Sequence, residues 1–453
     1  MLFHLFIHIF QKKRKRKLLN KLNIVPIFFF CTCFSASAQT SQLTIEQAIE
    51  TALKNNYDIS FAKNLSTEAK NSNTLGNAGM LPKVDINASG SFANNATKQE
   101  FSTGQVIDKT GVVSQNISTG AYLTWTIFDG LKMFATHARL KELESMGMLN
   151  TKIQIENTLV NVINAYYTIV MEKQMILGLK ENIGVSEERL KIAQKKFDIG
   201  TSSKVDVLQA KVDMNAQKSA LMKETILLSD AKETLNQLLK QPEDNNFEVT
   251  DSIPLMNDYK YEDLKNAITA KNSDLLLAKK NIAISKYMIK EAKANYYPKL
   301  NLNANYIFTR AQNQAGFSLL NQNLGMNLGF TLGWTIFNGF NNATQVKNLK
   351  LNLENSNLEF ENTKSLIQLG MIKAFKKYEN ALAILDLEKE NNKLAKENLD
   401  IAMERFRIGN STSIELKTAQ QSYQDAIARL STARYSAKVS ETDLLKFSGS
   451  IVK

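Results

Sequence analysis

The chain has 453 residues, 43% of them hydrophobic and 22% charged, with 56 Lys and Arg against 44 Asp and Glu for a formal charge of +12. That balance excludes a disordered chain and a bundle of long membrane-spanning helices. Two cysteines exclude a disulfide scaffold, three histidines leave little room for zinc or triad chemistry, and five prolines permit very long uninterrupted helices.

Residues 1–38 supply much of the apparent basicity. Lys12, Lys13, Arg14, Lys15, Arg16, Lys17 and Lys21 precede an apolar stretch at 24–34 and then Ala36-Ser37-Ala38. A basic flank, a short apolar centre and an A-x-A site define a secretory signal peptide over 1–38. The centre is about half of the roughly 20 residues a bilayer-spanning helix needs. The first ten residues are unusual for a signal and point to a translation start further downstream. Seven of the 56 bases leave with the signal, so 49 face 44 acids. Cys31, Cys33, His4 and His8 leave as well, and His137 stands alone. Bulky or polar residues precede both cysteines, which disfavours lipidation. An exported, cysteine-free and mildly basic chain gives no reason to expect a nucleic-acid partner.

The remainder is one unit written twice. Pro82 and Pro298 open matching segments, Leu81 to Ala88 and Tyr297 to Ala304, at an offset of 216. Trp125-Thr126-Ile127-Phe128 recurs as Trp334-Thr335-Ile336-Phe337, and Phe197-Asp198-Ile199-Gly200 as Phe406-Arg407-Ile408-Gly409, both at an offset of 209. The seven-residue difference lies between proline and tryptophan, a stretch expected to hold an exposed loop. From tryptophan to the Phe-x-Ile-Gly motif both copies count 72 residues, as a helix of fixed register requires. The expected organisation is repeat 1 over 39–240, a linker over 241–258 and repeat 2 over 259–453.

Each repeat opens with a helix, 44 to about 79 and 262 to about 296, where apolar residues such as Ile45, Ala48, Ile49 and Ala52 recur at helical steps. After each proline the period becomes two, predicting β-hairpins over about 83–128 and 299–337. Met326, Leu328, Phe330, Leu332, Trp334 and Ile336 share one face, while Asn327, Gly329, Thr331 and Thr335 share the other. Such alternation is the per-strand signature of an outer-membrane barrel. A soluble hairpin with one wet face shares the alternation; the signal peptide and the attached long helices favour the membrane. Long helices then run from 131 to about 198 and over the matching span of repeat 2, about 100 Å at 1.5 Å per residue. Leu159, Ile163, Tyr166 and Val170 form part of a coiled-coil-like seam. Return helices of about 35 residues follow Gly200 and Gly409, so an opening and a return helix together match one long helix. Four strands cannot close a barrel, and open edges in lipid cost several kcal/mol per unpaired group. Three chains would give twelve strands above twelve helical columns.

With these features the chain resembles the outer membrane efflux protein (TolC) family over nearly its whole exported length. The resemblance rests on Leu43-Thr44-Ile45-Glu46-Gln47-Ala48-Ile49, the two proline junctions, and the tip patterns Phe197-x-Ile-Gly200-Thr-Ser-Ser-x-Val-Asp206 and Phe406-x-Ile-Gly409-Asn-Ser-Thr-x-Ile-Glu415. It implies a mainly α fold with a β-barrel part: long antiparallel α-hairpins form a periplasmic α-barrel, with four transmembrane strands per chain in a 12-stranded barrel of a homotrimer. It implies a passive exit duct for efflux or type I secretion in the outer membrane of a Gram-negative bacterium. The partners would be a periplasmic adaptor, an inner-membrane pump or ABC transporter, and outer-membrane lipid. Gly200, Thr201, Ser202, Ser203, Gly409, Asn410, Ser411 and Thr412 would be the adaptor-docking tips. Asp206 and Glu415 would line the periplasmic gate as six carboxylates per trimer; a solvated helix start also explains them. Ser411 stands where some family members carry a basic gate-linking residue. Trp125 and Trp334 would mark the membrane interface, with core packing as the alternative. No catalytic, cofactor or metal site is expected. The competing functions are a pore-less periplasmic coiled-coil scaffold and a secreted enzyme.

Overall fold

The computed structural model describes residues 42–256, 259–315 and 318–452. The signal-peptide, translation-start and lipidation readings lie outside the described residues. Two helices of 67 residues dominate, α3 (Lys132–Asp198) and α7 (Asn341–Arg407), and each is followed by a helix of 36, α4 (Lys204–Leu239) and α8 (Ser413–Ser448). Among the described residues no helix is long and apolar enough to cross a membrane.

The opening segments are not single helices. The first divides into α1 (Ile45–Asn55) and α2 (Tyr57–Ser72), the second into α5 (Tyr261–Lys271) and α6 (Ser273–Ala294). Asn56 and Asn272, both buried, sit at the breaks. Each caps the next helix through its Oδ1: Asn56 accepts from the Asp58 and Ile59 amides, and Asn272 accepts from that of Leu275. Each also turns its amide nitrogen onto the end of a return helix, Asn56 to Leu238 O at 2.9 Å and Asn272 to Phe447 O at 3.1 Å. The breaks are thus stapled joints, and helical periodicity carries no mark of them. Both opening segments also stop short of the expected ends, at Ser72 and Ala294.

In chain order the strands are β1 (Gln42–Leu43), β2 (Lys83–Glu100), β3 (Val106–Phe128), β4 (Glu248–Val249), β5 (Lys299–Asn313) and β6 (Leu320–Gly333). The expected linker is more than a connector, because β4 pairs in parallel with β1. That small pair lies over the α3 seam, where Tyr166 Oη donates to Leu43 O at 2.9 Å. Tyr166, Tyr167, Ile169 and Val170 are buried there with Ala48, Ala52, Leu235 and Val249. Leu159 is buried too, and Ile163 is half-buried against the same cluster.

The large sheet has order β2-β3-β5-β6, antiparallel throughout. Two expectations change here. The stretch expected to hold an exposed, length-tolerant loop is mostly strand: β2 has 18 residues and β3 has 23, against 15 and 14 in β5 and β6, so the extra residues between Pro82 and Trp125 lie in the hairpin strands. Trp334 and Ile336 lie beyond β6, which ends at Gly333 opposite Lys299. Their counterparts Trp125 and Ile127 remain in strand because β3 has β5 on its other flank, pairing Trp125 with Leu302 and Phe128 with Leu300. β6 is an edge, and Pro298 has no N–H with which to extend its only ladder. The strand-to-helix turns each use two successive left-handed residues, Gly130-Leu131 and Gly339-Phe340. At Gly130 a Cβ would lie 2.4 Å from Ala294 O, so only glycine fits.

α3 is the central column, packed on α2, α4, α6 and α8, whereas α7 packs chiefly on α6 and α8. Consequently α7 leaves an apolar row exposed that includes Leu351, Leu358, Leu369, Leu387 and Ile401. α4 does the same with Val205, Leu208, Val212, Met222 and Ile226.

Candidate functional site

The two helical tips have closely similar construction. At the first, Thr201 N donates to Lys196 O at 2.8 Å and Gly200 N to Phe197 O at 2.9 Å, with Gly200 at φ +75°. At the second, Asn410 N donates to Arg405 O at 2.8 Å, with Gly409 at φ +85°. These are Schellman-type stops, which a side chain with a Cβ disfavours. Ser203 and Thr412 then cap α4 and α8 in capping boxes with Asp206 and Glu415.

That geometry gives both acids a local duty. Asp206 accepts from Ser202 Oγ at 2.6 Å and from the Ser203 amide at 3.3 Å. Glu415 accepts from Ser411 Oγ at 2.5 Å and from the Thr412 amide at 3.4 Å. The serine hydroxyl first, then the backbone amide, hold each carboxyl below its ordinary value. Both are therefore negative at neutral pH, each with one oxygen engaged in its cap, Oδ2 of Asp206 and Oε2 of Glu415. Ser411 lies within bonding distance of Glu415, so the position expected to lack a link carries a local one.

A second cluster behind the tips escaped the sequence reading. The Arg189 guanidinium on α3 is only 2% exposed and donates to Asp213 Oδ2 on α4 at 3.0 Å. Its Nη2 donates to Ser413 Oγ, the first residue of α8, at 2.9 Å. Lys417 on α8 donates to Asp213 Oδ1 at 2.8 Å. Burial pushes Asp213 up, but bonds from Lys417 and Gln209 and the nearby Arg189 and Lys417 charges outweigh it and leave its carboxyl lowered. The cluster ties both tips together, with Phe406, Leu416, Ala419 and Leu399 forming a small apolar core beside it. The partners lie 24 and 224 residues apart, so no local motif announces them.

At the other end the sheet has two unlike faces. Cross-strand rows on one face read Ile86–Ala121–Tyr306–Met326 and Val84–Leu123–Ala304–Leu328, with Trp125–Leu302–Phe330 beyond. Ile86, Phe92, Leu324, Met326, Leu328 and Phe330 are exposed there in the single chain. The opposite face is a ladder of amides and hydroxyls: Asn327 donates to Asn305 at 3.0 Å, Asn303 to Thr331 at 2.9 Å, and Thr126 to Asn301 at 3.0 Å. The indole N–H groups close the junction below. Trp125 Nε1 donates to Met80 O at 2.9 Å and Trp334 Nε1 to Tyr296 O at 3.1 Å, tying the end of β3 and the segment after β6 to the residues before Pro82 and Pro298. Both rings keep substantial exposure.

A four-stranded sheet with one apolar face, set on helical hairpins of 67 and 36 residues, has the build of a membrane channel protein. Comparison with known proteins agrees: the sequence matches the outer membrane efflux protein family over residues 48–240 and again over 264–450, and the chain belongs to that family. It is 20% identical over 334 residues to the outer membrane efflux protein BepC of Brucella suis, covering 73% of this chain and 72% of that one. The CmeC outer membrane channel of Campylobacter jejuni has a similar fold, with TM-score 0.75 and 19% identity over 90% of this chain and 86% of that one. So does the outer membrane protein VceC of Vibrio cholerae, with TM-score 0.71 and 14% identity over 89% and 96%. The family is one of outer-membrane channels, not enzymes, and the protein is an outer-membrane efflux component.

Proposed function

We propose that three copies of this chain form a passive exit duct, in which three four-stranded sheets close a twelve-stranded barrel and the helices continue it as a periplasmic tunnel. The observation that carries this reading is the sheet with one apolar face, one polar face and two unpaired edges, β2 and β6. In lipid an unpaired edge is untenable, and pairing β6 of one copy with β2 of the next removes every edge. The exposed apolar rows of α4 and α7 supply matching helical contacts between copies.

The two repeats, 39–240 and 259–453 about the 241–258 linker, give the trimer six similar hairpins. Gly200 to Ser203 and Gly409 to Thr412 dock a periplasmic adaptor that recruits an inner-membrane pump or ABC transporter. Asp206 and Glu415 present six fixed negative charges around the entrance. Trp125 and Trp334 stand at the periplasmic membrane interface while their N–H groups secure the junction.

Purified protein should migrate as a heat-dissociable trimer, fractionate with the outer membrane and conduct ions in planar bilayers. A soluble product without conductance would replace the duct with the pore-less scaffold.

A further inference from the structure

At the foot of the large sheet, residues of both repeats enclose a polar cavity of about 700 Å³. Thr126, Lys299, Gly333 and Thr335 line it from the strand ends, and Lys132 and Asn342 from the starts of α3 and α7. Thr126 bonds Asn301 at 3.0 Å, and Lys299 shares the face of Asn301 and Asn303 because alternate strand residues point the same way. The cavity thus continues the ladder of amides and hydroxyls and lies opposite the apolar rows. Its volume suits one small organic molecule.

Five charged side chains line the cavity, and their pairing leaves it positive. Arg139 Nε donates to Glu291 Oε1 at 2.7 Å, and the two charges offset each other. Asp129 accepts from the Met133 amide, at 3.3 Å through Oδ1 and 3.1 Å through Oδ2, and so serves the first turn of α3. Repeat 2 has the neutral Asn338 at the position of Asp129, and Asn338 lines the same cavity. Lys132 and Lys299 have no hydrogen-bond, ion-pair or ring partner among the described residues. Both are exposed, so neither is needed to hold the fold. The helix starts at the rim add a weaker potential of the same sign. Asp206 and Glu415 do not cancel it. Helices of 67 residues, about 100 Å, separate the tips from the cavity, many screening lengths of about 8 Å.

We propose that this cavity binds the anionic group of a small organic solute, a sulfonate or carboxylate, which Lys132 and Lys299 contact while the surrounding amides and hydroxyls solvate the rest. In the duct, the site holds an anionic solute where the tunnel meets the barrel. That placement rests on the proposed duct; the affinity for anions does not. A lipid headgroup is not the ligand, because the apolar rows that would meet acyl chains are on the other face of the sheet.

The test is fluorescence polarisation of the trisulfonate dye pyranine with the purified full-length protein in detergent. Wild type is compared with Lys132→Gln, Lys299→Gln and the double variant. Lys83→Gln is the control, because Lys83 is a strand lysine that pairs with Asp85 at 3.0 Å and does not line the cavity. Wild type should bind saturably, each single variant about threefold more weakly, and the double variant about tenfold or more, with the control unchanged. Added salt should weaken wild-type binding. No saturable binding, equal affinity in the double variant, or an equal loss in Lys83→Gln would overturn the proposal. In planar bilayers, millimolar pyranine should interrupt the wild-type current and leave that of the double variant steady. Uninterrupted current from a wild type that binds the dye would put the cavity outside the conducting path and overturn the proposal. A wild type that conducts no ions would instead overturn the duct reading, while polarisation still decides the anion site.

Discussion

Arg189 and Asp213, on opposite arms of the first helical hairpin, meet at 3.0 Å with the guanidinium almost wholly buried, and the same guanidinium holds the Ser413 hydroxyl at the start of α8. One side chain thereby joins three helices just behind both tips. Neither the arginine nor the aspartate can be removed without leaving its partner's charge in a poorly hydrated place.

Breaking this pair should cost more than an exposed ion pair does. Arg189→Ala should lower stability by about 3 kcal/mol, read as a fall in the thermal midpoint. Bilayer conductance of the variant should rise if the cluster restrains the entrance. Because Asp213 is lowered in the folded protein, its contribution is present above the ordinary carboxylate value of 3.8 and fades as pH falls below it. Asp213→Asn should therefore flatten the acid limb of the stability profile.

The left-handed glycines test the docking turns. Replacing Gly200 or Gly409 with valine forces a β-branched residue to φ near +75° or +85°, a strain of about 1–2 kcal/mol. The turns point into open space, since no atom lies within 4 Å of a Cβ added at either glycine. Trimer assembly should survive while export, scored as accumulation of a fluorescent substrate in cells, is lost. Asparagine at the same positions should retain most export; normal export with valine would remove these turns from adaptor docking.

Neutralising Asp206 and Glu415 separates charge from capping. The double change to Asn and Gln should reduce cation selectivity, measured as the reversal potential across a salt gradient. Both wild-type carboxyls are lowered by their serine and backbone donors, so selectivity should persist on acidification below the ordinary carboxylate range. An unchanged reversal potential would leave these acids with capping alone.

Trp125→Phe and Trp334→Phe each keep an aromatic ring but delete the N–H bond to Met80 O or Tyr296 O. Each should cost about 1 kcal/mol, seen as trimer dissociation at a lower temperature on a gel. Asn56→Ala should cost about 1–2 kcal/mol, because it removes a helix cap and a clasp on Leu238 together.

Much of the channel was written in the residues themselves. Repeated prolines, tryptophans and Phe-x-Ile-Gly motifs at constant spacing define two long hairpins, because helix length and register follow from counting residues between fixed stops. Alternation along Met326 to Leu332 marks the apolar face, because successive strand residues point to opposite sides. Tertiary structure alone decided the rest. Asn56 and Asn272 break helices through bonds to the ends of return helices 182 and 175 residues away, and Trp125 stays in strand because β5 happens to be its neighbour. The Arg189 latch depends on side chains that only the packing of α3 against α4 and α8 brings within bonding distance. Local propensity carries no information about such contacts.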